Sequence, residues 1–234
     1  MLRYRHFVPL LLLVCASLAV RANQTAERLT LSTGETVRFW QYTPPDQEGA
    51  LPLLLFLHGG GESGDNLEVV KKHGPPALIE QGKSFPAIVL SPQLDDRRGF
   101  WDEDLLARFL TAFAAKNNVD STRVYLTGLS RGAYGALRLA MENPERFAGI
   151  VVISGAAPAP YARWLGDTPV RLFHGEDDQA IPVAESTRIF EALQRAGADA
   201  ELTIYPDIGH DAWTQTYANP LVWDWLFRQR RKAE

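Results

Sequence analysis

Six short, almost wholly apolar runs limit the fold of this chain more than any other feature: residues 51–57, 87–91, 123–127, 149–154, 170–174 and 201–205. A strand with one wetted face alternates apolar and polar residues, whereas a run that is apolar throughout needs cover on both faces. Helical patterns stand between the runs. In residues 103–116, Leu105, Leu106, Phe109, Leu110 and Phe113 fall on one face. In residues 182–196, Ile189, Phe190 and Leu193 do the same, with Pro182 to start that helix and Gly197 to stop it. Strands alternating with helices predict right-handed βαβ units and a mostly parallel central sheet flanked by helices. Residues 29–32 and 36–43 alternate and are joined by Thr33-Gly34, which predicts an antiparallel hairpin at one sheet edge.

In open parallel sheets, chemistry gathers at the carboxyl ends of the strands, and four motifs stand at such ends. Gly128-Leu129-Ser130-Arg131-Gly132 follows the run 123–127 and precedes a helix bearing the small residues Ala133, Gly135 and Ala136. This is the setting of a G-x-S-x-G turn, which strains its serine and exposes the hydroxyl. A serine hydroxyl is a poor nucleophile unless a base takes its proton and an acid orients that base. In this arrangement the acid and then the histidine follow the serine along the chain. His174-Gly175-Glu176-Asp177-Asp178 leaves the run 170–174, and Gly209-His210-Asp211 follows 201–205. Of the five histidines, His210 is the well-placed base; His58 and His174 end strands and read as turn supports, and His73 precedes Gly74-Pro75. Glu176, Asp177 and Asp178 all remain open as the acid. The fourth motif, His58-Gly59-Gly60-Gly61-Glu62-Ser63-Gly64, matches a glycine-rich loop that offers a backbone N–H to an oxyanion, with Gly60 and Gly61 as candidates and the N–H of Arg131 as second donor. It lacks the Gly-Lys-Ser/Thr of a phosphate loop and the G-x-G-x-x-G of a dinucleotide site.

At 234 residues, 46% hydrophobic and 22% charged, the chain has ordinary globular composition, and the reading is a single α/β domain over 23–234 behind a leader. Arg3 and Arg5 precede an apolar stretch over 7–20, and Val20-Arg21-Ala22 offers small residues for cleavage after Ala22, so residues 1–22 read as a signal peptide of a secreted or periplasmic protein. A membrane anchor needs a longer run, and a lipoprotein reading through Cys15 meets Val14 where a small residue is expected. Cleavage removes three arginines and no acid, taking the net charge from −4 to −7. That charge argues against nucleic acid as a partner. Cys15, the single cysteine, leaves with the leader, and no second histidine has metal-ligand spacing to His210, so no metal is expected.

These motifs resemble the esterase and prolyl-oligopeptidase-like branch of the α/β-hydrolases: short secreted carboxylesterases and "predicted peptidases" related to phospholipase/carboxylesterase and feruloyl-esterase-type enzymes. The likeness spans about residues 35–228 and rests on residues 57–64, Ser91-Pro92-Gln93, the Ser130 turn, His174-Gly175-Glu176-Asp177-Asp178 with Ile181-Pro182, and Gly209-His210-Asp211-Ala212-Trp213. It implies an α/β-hydrolase fold, Asp178 as the acid, four residues after His174, and Gly60 as the loop donor. It also implies acyl transfer to Ser130 with no cofactor. Lids in this fold usually enter between the strands ending near Ser154 and beginning near Val170; the segment there is short, so no large lid and an open site are expected. Such a site suits small soluble esters or esters attached to a polymer. Trp101 and Trp213, with Tyr134 and Tyr217, lie near the motif loops and are candidates for the substrate pocket, packing being their other reading. A peptidase using the same three residues, and a non-catalytic binding protein on the same fold, are the alternatives.

Overall fold

A computed structural model describes residues 23–45 and 48–231. The predicted leader, residues 1–22, lies outside the described residues. One sheet of eight strands runs in the order β1-β2-β4-β3-β5-β6-β7-β8. Its members are β1 (Gln24–Thr30), β2 (Thr36–Tyr42), β3 (Leu51–Leu57), β4 (Ile88–Pro92), β5 (Val119–Leu129), β6 (Gly149–Ile153), β7 (Val170–Gly175) and β8 (Ala200–Tyr205). β1 and β2 form the antiparallel edge hairpin, β2 pairs antiparallel with β4, and from β4 to β8 every pairing is parallel.

The apolar runs are apolar throughout because both faces of the sheet are covered. In β3, Leu53, Leu55 and Leu57 enter one core, while Leu54 and Phe56 enter the other. The first core lies under α2 (Glu103–Ala114), α3 (Arg131–Glu142) and α4 (Ala184–Arg195); the second lies toward α1 (Gly74–Glu80), α5 (Trp213–Ala218) and α6 (Pro220–Arg228). Asp102 caps α2 by accepting from the Leu105 N–H at 2.9 Å, and Asn219 caps α6 through the Leu221 N–H at 3.0 Å. No helix among the described residues is long and apolar enough to cross a membrane.

Some boundaries differ from the sequence reading. The first strand occupies 24–30 rather than 29–32, because Leu31 turns the chain, with its N–H on the Glu35 carbonyl. β5 is longer than 123–127 at both ends. The helix expected from Pro182 begins at Ala184, and α1, α5 and α6 were not predicted individually. Between β6 and β7 the chain makes only a 3-10 turn (Ala159–Leu165), so among the described residues no large lid is inserted there.

Candidate active site

β5 ends at Leu129 and α3 begins at Arg131, so Ser130 is the whole connection, with φ 52° and ψ −120°. A non-glycine residue at positive φ is strained, and tertiary contacts must hold it. Its N–H is fixed to the Ile153 carbonyl of β6 at 2.9 Å. The flanking glycines are required by close approach: a Cβ on Gly128 would strike the Gly132 carbonyl, and one on Gly132 would strike the Leu57 carbonyl of β3.

The loops after β7 and β8 bring an acid and an imidazole to this serine. His210 Nε2 stands 2.9 Å from Ser130 Oγ, and His210 Nδ1 stands 2.7 Å from Asp178 Oδ2. An imidazole whose Nδ1–H donates to a carboxylate keeps Nε2 free to accept the hydroxyl proton. Asp178 is 5% exposed, while Glu176 and Asp177 are exposed and face solvent. Burial alone would push the Asp178 carboxyl up. The hydrogen bond from His210 and the N–H groups of Ile181 and Ala180, at 2.9 and 2.8 Å on Oδ1, outweigh it and hold the group below its ordinary value.

Two further contacts on this row were not legible as such in the sequence. His174, fully buried, sets Nε2 3.1 Å from Asp178 Oδ2 and 2.9 Å from the Ile181 carbonyl, with Nδ1 2.6 Å from Ser186 Oγ, so the carboxylate is gripped from two sides. The histidine-to-aspartate spacing of four was the available signal. Glu62, 4% exposed, folds back under the glycine loop, with His73 Nε2 3.9 Å from its Oε1.

The glycine loop lies over the nucleophile: a Cβ on Gly59 would come within 3.6 Å of Ser130 Cβ. Gly60 opens a 3-10 turn (Gly60–Glu62) and Arg131 opens α3, positions whose N–H groups have no partner within their own helix. Among the described residues neither N–H donates to another protein group. Gly61 is exposed, with open space around it. His58 pins the loop from below. Its Nδ1–H donates to the Gly59 carbonyl at 2.6 Å and its Nε2 accepts from the Leu94 N–H at 3.0 Å, while burial, opposed by the Gly59 contact and aided by Arg131, pushes the imidazole down to about 4.

Trp213 stands beside the site, its ring edge-on to His210 at 5.1 Å and to His73 at 5.6 Å. Trp101, the other tryptophan candidate, is 5% exposed, donates its indole N–H to the His58 carbonyl at 3.3 Å and packs under the loop, which fits its packing reading. Tyr217 is likewise in the core, its hydroxyl 2.9 Å from Thr127 Oγ1. Tyr134 is half-buried on α3. Among the described residues, no three His, Cys, Asp or Glu side chains gather closely enough to hold a metal ion.

The strand order and the serine on a one-residue strand-to-helix turn define the class, an α/β-hydrolase fold. Within it the chain belongs to the phospholipase/carboxylesterase family, whose model matches residues 91–219. It is 33% identical over 160 residues to NocK of Nocardia uniformis subsp. tsuyamanensis, named as an esterase, covering 63% of this chain and 44% of NocK. It is 24% identical over 259 residues to dipeptidyl-peptidase 5 of Porphyromonas gingivalis, covering 85% of this chain and 37% of that protein. The chain thus matches less than half the length of these two relatives. A solved thermostable esterase superposes with a TM-score of 0.78 at 27% identity, over 89% of this chain and 63% of the other.

Proposed function

We propose that this protein is a serine hydrolase that cleaves carboxylic esters through Ser130, His210 and Asp178. The observation that carries the reading is the unbroken row from Asp178 Oδ2 through His210 to Ser130 Oγ, at 2.7 and 2.9 Å. Ser130 Oγ attacks the ester carbonyl carbon as its proton passes to His210 Nε2, and the carbonyl electron pair moves onto the oxygen. The N–H groups of Arg131 and Gly60 hold that oxyanion. Collapse expels the alcohol, which takes the proton from Nε2 and leaves an acyl-serine. Water, deprotonated by the same nitrogen, then attacks the acyl carbon and releases the acid. Asp178, held ionised, keeps the tautomer and offsets the imidazolium charge.

The substrates proposed are small soluble esters or esters attached to a polymer, which an unlidded site admits. Cleavage of peptide bonds by the same three residues is the second reading, favoured by the likeness to dipeptidyl-peptidase 5. The same proposal includes export and loss of residues 1–22, which N-terminal sequencing of the protein recovered outside the producing cell would test. A fluorophosphonate probe should label the folded protein and fail on Ser130→Ala, with turnover of p-nitrophenyl esters exceeding that of aminoacyl amides. No labelling of well-folded protein would sink the enzyme reading in favour of a binding protein, and amide turnover above ester turnover would favour the peptidase.

A further inference from the structure

α3 shows solvent only a narrow stripe. Eight of its twelve residues are buried, and the remaining four, Arg131, Tyr134, Arg138 and Glu142, recur every three or four positions and so share one face. The stripe starts at the nucleophile. Arg131 follows Ser130, and its guanidinium lies where a Cβ on Gly60 would meet it at 3.0 Å. The ring of Phe100, 59% exposed, is 5.7 Å from that guanidinium and 5.5 Å from the Tyr134 ring. Further along, Arg138 joins Glu103 at 3.1 Å and Glu142 at 2.8 Å. At the far end Tyr161 and Trp164, each 46% exposed, stack on one another with centroids 4.5 Å apart. With Arg138 and Glu142 they border a cavity of about 260 Å³. Three of the five large exposed hydrophobic side chains among the described residues therefore border this one face.

We propose that this face is a binding track for a neutral polysaccharide that carries the ester. Sugar units lie on Phe100 and on the Tyr161–Trp164 pair while the ester reaches Ser130. The inference rests on the esterase reading above and adds the substrate class to it. Three features select the occupant. The track is continuous with the nucleophile, and a twelve-residue helix rises about 18 Å, far more than a small ester fills. Aromatic faces alternate with a guanidinium–carboxylate row, as a sugar ring alternates C–H faces with hydroxyls that both donate and accept, whereas an aliphatic polyester offers only acceptors and would leave the desolvated carboxylates of that row without a donor. Arg131 and Arg138 are balanced by Glu103 and Glu142, and Arg163 beside the aromatic pair leaves a single excess charge, too little to draw a polyanion or polycation.

The test compares the protein with Trp164→Ala and Tyr161→Ala, whose positions lie outside the reacting groups. In native gels containing unesterified arabinoxylan, the wild type should be retarded and both variants should run free. On acetylated xylan each variant should lose about tenfold in kcat/KM, with p-nitrophenyl acetate turnover unchanged, which also certifies the fold; if either variant loses that turnover, Phe100→Ala takes its place. Equal retardation of variants and wild type, no retardation of the wild type, or a loss confined to polyester emulsions would each overturn the track. Retardation that depends on Trp164, in a protein that turns over no ester, would leave the track standing and remove the esterase reading instead.

Discussion

Asp178 has two exposed acidic neighbours, Glu176 and Asp177, yet its own Oδ2 alone meets His210, and three further groups fix its two oxygens. Asp178→Asn should therefore lower kcat/KM by about 10⁴-fold, while Glu176→Gln and Asp177→Asn stay within a few-fold; steady-state kinetics on one p-nitrophenyl ester decides it. Because its hydrogen bonds hold Asp178 below the ordinary carboxylate value, the carboxylate persists on the acid side, and the acid limb of kcat/KM should show one ionisation rather than two. His58 makes a stability prediction of definite sign. Its folded value is about 4 against 6.5 for the free imidazole, so the unfolded chain binds the extra proton between those values. Its contribution is whole above pH 6.5 and is lost as pH falls toward 4, by about 3 kcal/mol. Urea midpoints measured across that window should fall, and should fall less in His58→Gln.

At the scale of elements, the β5–Ser130–α3 turn depends on glycines that admit the backbone of β3. Gly132→Ala places a methyl on the Leu57 carbonyl and should cost about 4 kcal/mol or more, read as loss of the cooperative transition or of soluble protein. Such local motifs were legible in the sequence because each is a short run whose chemistry depends on adjacent residues: the serine turn, the His174-to-Asp178 segment, and Gly209-His210. The same holds for the apolar strands, whose cover on both faces writes itself into every position. What was not legible depends on partners distant in sequence. Trp101 sits beneath the loop because Gly135 leaves room for it and the His58 carbonyl accepts its N–H. β1 shows little apolar alternation because most of it lies exposed along the sheet edge, and α5 and α6 are short helices placed by packing against the second core.

Across the whole molecule the sheet separates two cores that share no side chain, and the strand ends carry the site. Phe109 is fully buried in the first core, 5.0 Å from the Phe39 ring. Phe109→Ala should cost about 3–5 kcal/mol, measured by urea unfolding, while the surviving folded fraction reacts with a fluorophosphonate at the wild-type rate. Ser130 and His210 stand 80 positions apart, and His210 and Asp178 stand 32 apart, on loops that follow three different parallel strands. The imidazole arrives with β8, the sheet's last strand and its outer edge. Until that strand docks, no imidazole stands beside Ser130, so on the proposed mechanism an unfolded or chaperone-held chain is chemically silent, and reactivity would switch on as a report that the final piece has closed.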